Sequence, residues 1–156
     1  MKIRMAMEKD LPRIHELLMQ VELIHHQARP DLFKCGGRKY TDDQLLEILR
    51  DDQRPILVAA DENDRLLGYA FCIFQQHPDD NILTPVRSLY IDDLCVDEAA
   101  RGQRVGKTLY EAVLDYAKAH DCYNVTLNVW NGNDKAMAFY RACGLKPQKI
   151  GMEKIL

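Results

Sequence analysis

Residues 87 to 119 set the strongest constraint on how this chain can fold. An apolar run, Arg87 to Val96, leads to a basic turn with two glycines, Arg101-Gly102-Gln103-Arg104-Val105-Gly106-Lys107-Thr108. Val105, Leu109, Ala112, Val113 and Tyr116 then recur at helical spacing. The pattern predicts a strand, a tight turn and an amphipathic helix over 103–119. At such a junction the first amides of the helix lack main-chain partners and carry the positive end of the helix dipole. They point out of the sheet edge, where a phosphate or pyrophosphate is the natural occupant. Glycine lets the backbone approach that anion closely, and Arg101, Arg104 and Lys107 add positive charge.

The rest of the chain is read around this unit. Tyr123, Val125, Leu127 and Val129 alternate with Asn124, Thr126 and Asn128, which predicts a strand directly after the helix. A helix over about 133–143 follows, with Ala136, Phe139, Tyr140 and Cys143 on one side and Gly144 as its stop. Two short strands are expected to finish the chain. Upstream, residues 2–6 predict a short strand. Leu11, Ile14, Leu17, Leu18 and Val21 predict a helix over about 8–26, with Pro12 in its first turn. Ala28 to Tyr40 contains Pro30, Gly36 and Gly37 and reads as a loop. Thr41-Asp42-Asp43-Gln44 is a capping-box pattern opening a short helix that buries Leu45, Ile48 and Leu49. Pro55 to Ala60 and Leu66 to Gln75 flank the polar turn Asp61-Glu62-Asn63-Asp64 and predict a hairpin, and 77–85 reads as a second loop. The expected order, βααβββαβαββ, describes a mixed α/β domain with one sheet and helices on its faces. At 156 residues, with no repeat or linker, one domain over 1–156 is expected.

Composition narrows the partners. A net charge of −3 provides no basic field, so no nucleic-acid partner is expected. No apolar run approaches the ~18 residues of a membrane span, and Met1-Lys2-Ile3-Arg4-Met5 leads into a charged stretch unlike a signal peptide. A cytoplasmic protein without membrane contact is expected. Five cysteines, an odd number with no C-x-x-C, predict reduced thiols. His15, His25, His26, His77 and His120 show no zinc spacing. His25 and His26 are adjacent and diverge on a helix, so no metal is expected.

Two families of turn come close to residues 101–108. The phosphate loop G-x-x-x-x-G-K-[ST] is nearly met by Gly102, Gly106, Lys107 and Thr108, but three residues separate the glycines where four are needed to wrap a β-phosphate. The turn also resembles R-x-x-G-x-G/A, the coenzyme A pyrophosphate loop of the GCN5-related N-acetyltransferase (GNAT) family, with Arg104 standing where the family usually shows its first motif glycine. Asn133, Ala136, Phe139, Tyr140 and Gly144-Leu145 resemble the family's N-x-x-A-x-x-F-Y-x-x-x-G-F signature. Met152-Glu153-Lys154-Ile155-Leu156 resembles a common last strand. The likeness is specific over 87–146 and topological before residue 55. It implies the acyl-CoA N-acyltransferase fold, a single mixed, mostly antiparallel sheet flanked by helices.

The resemblance also implies an activity, the transfer of an acetyl group from acetyl-CoA to an amine by direct attack in a ternary complex. By it, Arg101, Gly102, Gln103, Arg104, Val105, Gly106 and Lys107 hold the pyrophosphate. Leu94, Cys95 and Val96 line the pantetheine arm, with Leu94 and Val96 offering it backbone groups as an added strand would. Asn133 contacts the same arm, unless it serves only as a helix N-cap. The Tyr140 hydroxyl sits by the sulfur as general acid. An alkylammonium with a pKa near ~10.4 must lose a proton before it attacks, and a thiolate leaving group benefits from gaining one. Asp92 and Asp93 lie amid Tyr90, Ile91, Leu94 and Val96, where carboxylates are costly unless used or hydrated. Solvated edge carboxylates or an ion pair with arginine are the plain alternative. Neighbours on a regular strand face opposite sides, and a bulge at the aspartates would free backbone groups. An acid matches Asp92 in some polyamine-acetylating members, so Asp92 is the expected base, directly or through water. Cys95 has no histidine near it in sequence and reads as a buried thiol.

In the family, acceptor choice comes from the segment between the first two helices and from loops flanking the cleft. Here these are Glu22–Tyr40 and His77–Val86, with Glu22, Asp31, Asp79 and Asp80 as acidic candidates. A small primary amine, a polyamine, an aminoglycoside or a peptide or protein amine fits. A non-catalytic acyl-CoA-binding module and a nucleotide-binding phosphate-loop protein are the alternatives to an enzyme. A homodimer is expected from the family.

Overall fold

The computed structural model describes residues 1–156 and places five strands in one sheet in the order β1-β2-β3-β4-β5. β1 (Lys2–Met5), β2 (Ile56–Ala60), β3 (Leu66–Gln75) and β4 (Ser88–Val96) pair antiparallel in sequence. β5 (Asn124–Leu127) joins β4 in parallel. The helices are α1 (Leu11–Ala28), α2 (Asp42–Leu49), α3 (Val105–Ala119) and α4 (Asp134–Ala142). The sheet is single, mixed and mostly antiparallel, as the resemblance implies.

The period-2 alternation of the strands builds two cores. From β2, Ile56, Val58 and Ala60 meet Ile14, Leu17 and Leu18 of α1 and Leu45 and Ile48 of α2 on one face. Leu57 and Ala59 face the other way, onto Leu109 and Val113 of α3. β2 is therefore buried at all five positions. The predicted capping box at Thr41 forms: its hydroxyl accepts from the Gln44 amide, and the Gln44 side chain accepts from the Thr41 amide. The first helix begins later than predicted. Asp10 accepts from the Met7 amide at 2.8 Å and from Arg4, which holds Glu8–Asp10 in a 3-10 turn before the α-helix starts at Leu11.

β4 carries the irregularity that matters most. Phe71 pairs with Asp93 and Cys72 with Ile91, so Asp92 is an extra residue in the strand. The insertion reverses the facing of everything after it. Leu89 and Ile91 face α3 before the bulge; Leu94 and Val96 do so after it, while Cys95 joins the α1 face. β4 and β5 pair only from Ser88–Asn124 to Ile91–Leu127. From Asp92 onward the β5-facing edge of β4 is open.

One glycine fixes how closely the strands approach there. Gly68 pairs with Val96, and a Cβ on it would lie 2.5 Å from the Cys95 carbonyl oxygen and 3.1 Å from Leu109 Cδ1. Gly68→Ala is expected to destabilise the fold by about 1–3 kcal/mol through overpacking. An unchanged denaturation midpoint would contradict the close approach.

The two closing strands predicted after Gly144 do not form. No strand follows α4, and no main-chain hydrogen bond involves residues 146–156. The tail resembles a closing strand in sequence, but a strand exists only where an edge pairs with it, and the tail does not pair with β5.

Candidate active site

The open edge of β4, the turn before α3 and α4 adjoin one another: Gly106 lies against Val96 and Phe139, and the Asp93 charge acts on Tyr140. The turn occupies residues 101–104, and α3 begins at Val105. Gly102 has φ +81° and Arg104 φ +61°, both left-handed. That conformation explains why glycine suits position 104 and why arginine there is strained. Arg104 is the residue before the helix and makes no side-chain cap. Thr108 is the first helical residue whose amide bonds back, to the Arg104 carbonyl at 3.0 Å, so the Val105, Gly106 and Lys107 amides are unpaired within the chain. Arg101 and Lys107 are exposed and make only loose pairs with Glu98 at 3.4 Å and Glu111 at 3.8 Å, which leaves both free to turn toward an anion. Gln103 and Arg104 are exposed, and Arg104 has no ion-pair partner. Gly106 has another use. A Cβ there would sit 3.4 Å from Val96 and 3.5 Å from Phe139, so it lets α3 sit against β4 and α4. Arg104→Gly is expected to stabilise the chain by about 0.5–1 kcal/mol by relieving the left-handed arginine. Thermal unfolding would show this as a raised midpoint, and a lowered one would mean that the arginine side chain holds the turn.

Behind the turn stand the aspartates. Asp93 is 9% exposed, and its Oδ2 accepts from the Tyr69 hydroxyl at 2.8 Å. Lys39, from the loop between α1 and α2, brings Nζ to 3.2 Å from Asp92 and 3.8 Å from Asp93. On a regular strand the two carboxylates would face apart; the bulge lets both converge on one ammonium. Burial pushes the Asp93 carboxyl above the usual carboxylate range, and Lys39 and Tyr69 only partly oppose this. Burial works against the charge on Lys39, but Asp93 and Asp92 together outweigh it and hold the ammonium protonated above its ordinary range. Asp92 is the more open of the pair, at 29% side-chain exposure.

Tyr140 lies on α4, with its ring 5.1 Å from Phe139 and 6.5 Å from Tyr110. Burial, and then the charge of Asp93, push its phenol far above the ordinary range. It therefore carries a proton at neutral pH. Asn133 caps α4, its side chain accepting from the Ala136 amide at 3.2 Å. The capping role is thus filled. Leu94 and Val96 flank the open edge, half-buried under α3. Cys95 turns its side chain into the α1 core, donates from Sγ to the Leu17 carbonyl at 3.6 Å, and is pushed up to about 12 by burial. It is a thiol at neutral pH and no nucleophile.

The segment between the first helices brings to the aspartates a residue that sequence reasoning passed over. Lys39 was not among the acidic candidates, and only the bulge, invisible in sequence, reveals its partners. Along the same segment His25 packs on Phe33 at 5.0 Å, and Phe33 meets Trp130 edge-on at 5.5 Å. Asp31 is engaged by Arg29. Of the second segment, Pro85 and Val86 lie by Arg87, Lys118, His120 and Tyr123 at the start of β4, and Asp80 receives the Ile82 and Leu83 amides. A cavity of about 340 Å3 lined by Phe74, Arg87, Tyr116 and His120 lies at that same end and has no part in the cleft.

No helix is long and apolar enough to cross a membrane. The chain is similar over its whole length to solved proteins. A mutant form of the BH1408 protein of Bacillus halodurans is 32% identical, covering 100% of this chain and 99% of that one, with a TM-score of 0.95. Glucosamine-6-phosphate N-acetyltransferase of Arabidopsis thaliana is 25% identical in its crystal structure, over 99% and 97% of the two chains, with a TM-score of 0.71. In a sequence alignment with a glucosamine 6-phosphate N-acetyltransferase of the same plant, 65 residues are 35% identical, and these span 42% of each protein. The model of the acetyltransferase (GNAT) family matches residues 21–145. That span takes in the bulged strand, the turn and the helix with Tyr140, so the chain belongs to the acetyltransferase (GNAT) family.

Proposed function

We propose that this chain transfers an acetyl group from acetyl-CoA to a cationic amine by direct attack. The observation that carries the reading is the parting of β4 from β5 at the twin aspartates, which opens a backbone edge and a pair of carboxylates into one cleft. The residues present fit the coenzyme. Unpaired amides at Val105, Gly106 and Lys107, with Arg101, Lys107 and Arg104 beside them, suit a pyrophosphate. The free edge at Leu94 and Val96 suits the amides of a pantetheine arm. When bound, the coenzyme supplies an acetyl group activated as a thioester.

The chain's own groups do the rest. The Asp92–Asp93 pair attracts an ammonium, as it already attracts Lys39. Asp92, the more open carboxylate, takes the proton that frees the amine lone pair, directly or through one water. As the new C–N bond forms and the C–S bond breaks, Tyr140 gives its proton to the departing sulfur, and the second proton leaving the nitrogen returns through water to the Tyr140 oxygen. Asp93, fixed by Tyr69, positions the charge. The acceptor displaces the Lys39 ammonium from the carboxylates or binds beside it.

The test is release of free thiol from acetyl-CoA with a panel of polyamines, small primary amines, aminoglycosides, peptides and glucosamine 6-phosphate. Turnover is expected with cationic amines above all. Coenzyme binding by calorimetry with no turnover across the panel would leave a non-catalytic binding module instead.

A further inference from the structure

The ammonium of Lys39 already stands where the proposed reaction brings an amine. Its Nζ lies 3.2 Å from Asp92 Oδ2 and 3.8 Å from Asp93 Oδ2. Every other lysine of the chain is exposed, while the Lys39 side chain is only 26% open. Local structure keeps it there. Lys39 comes two residues before the Thr41 cap of α2, whose paired hydrogen bonds fix the chain. Tyr40 stacks on Phe71 of β3 at 5.9 Å, and the Lys39 ammonium lies 5.4 Å over the Tyr40 ring. The bulge in β4 presents two carboxylates to it.

A counter-ion role accounts for part of this arrangement, since a buried carboxylate such as Asp93 is costly without a cation. It does not account for the other contact. Nζ lies nearer to Asp92, the open carboxylate, than to Asp93, the buried one that needs a cation more. The ammonium thus occupies the place from which Asp92 takes a proton, with Tyr140 close enough to Asp93 to feel its charge.

We propose that Lys39 is itself an acceptor, and that the chain acetylates its own Nζ when no other amine is present. The inference rests on the proposed acetyl transfer. Asp92 takes one proton from the ammonium, and the freed lone pair attacks the acetyl carbonyl carbon. The C–N bond forms, the C–S bond breaks, and Tyr140 gives its proton to the sulfur. The second proton leaving the nitrogen returns through water to the Tyr140 oxygen. Lys39 becomes a neutral amide, the coenzyme leaves as its thiol, and Asp92 releases one proton to solvent. The modified side chain no longer competes as a cation for the aspartates. Uncatalysed acylation has the opposite preference. It needs a free and open amine, and Lys39 is the least exposed lysine, held protonated by Asp93 and Asp92.

The experiment is peptide mass spectrometry of the full chain after incubation with acetyl-CoA and no added amine, and separately with acetic anhydride and no coenzyme. With acetyl-CoA, Lys39 is expected to be modified ahead of every other lysine, at a rate per chain that dilution leaves unchanged. Thiol release is then expected to stop at one equivalent per chain, and Lys39→Arg is expected to abolish it. With acetic anhydride, Lys39 is expected to be modified last. Asp92→Asn is expected to slow the acetyl-CoA reaction at Lys39 by about 10²-fold while the slow labelling of exposed lysines continues unchanged. An unmodified Lys39 in a chain that turns over an amine of the panel would overturn this inference alone. Absence of both reactions would overturn the proposed transfer with it. Lys39 modified no faster than the exposed lysines, or equally fast in Asp92→Asn, would be uncatalysed acylation and would overturn it. A rate per chain that falls on dilution would mean transfer between copies, with the same consequence. Anhydride labelling of Lys39 at the pace of exposed lysines would show that the carboxylates do not hold the ammonium, and would remove the inference's footing.

Discussion

Tyr140→Phe is expected to lower kcat by about 10²-fold or more while leaving the affinity for the coenzyme unchanged. The substitution removes one oxygen and keeps the ring packed on Phe139 and Tyr110, so the cleft keeps its shape. What is lost is the proton. Burial, then the Asp93 charge, hold the phenol protonated far above its ordinary range, which suits a group that must still carry its proton when the sulfur leaves. Because the shift is upward, the wild-type rate is expected to show no alkaline loss from this residue across neutral pH. Stopped-flow turnover with binding measured separately distinguishes the cases. A kcat unchanged in the phenylalanine variant would remove Tyr140 from the proton path, and a lost affinity would make it a binding residue.

Much of the fold was legible because its signals are local. The helix at Val105–Ala119, the hairpin of β2 and β3 and the Thr41 cap follow from spacing and turn chemistry, each readable within a few residues. The turn was legible for the same reason, since glycines and basic residues between a strand and a helix have few other uses. The closing strands were misread because strandedness is a property of two edges. Ile150 and Met152 lie two apart, yet nothing in a sequence states whether an edge will pair with them. The site was legible in its parts and illegible in its joining. Asp92 and Asp93 stood out as acids in an apolar strand, but alternation sent them to opposite faces. Only the inserted residue in the β3–β4 register brings both to Lys39. That ammonium arrives from more than fifty residues upstream. A loop residue with no periodicity carries no mark of its partner. Arg104 shows the reverse. Its departure from glycine was visible, while the left-handed φ that gives the departure its cost appears only in the fold.

The twin aspartates carry the second large effect, and their environments divide the work between them. Asp92→Asn is expected to reduce kcat by about 10²-fold, because an amide cannot take the amine proton and Asp92 is the carboxylate that solvent and substrate reach. Asp93→Asn is expected to act chiefly on KM, since Asp93 is tied to Tyr69 and faces the ammonium from the buried side. Asp93 also leaves a signature in stability. Burial holds its folded pKa above the unfolded value, so between the two the folded state binds more protons than the unfolded one. Stability from this group is present at low pH and lost as pH rises through the folded pKa. Asparagine does not titrate there. The melting temperature of Asp93→Asn relative to wild type is therefore expected to rise as pH is raised from about 4, near the unfolded carboxyl pKa, toward neutrality. A wild type that instead gains on the variant over that range would mean that Lys39 and Tyr69 more than offset the burial of the charge. An Asp93→Asn variant with the larger kcat loss would exchange the two roles, making the buried carboxylate the base and the open one the anchor for the incoming amine.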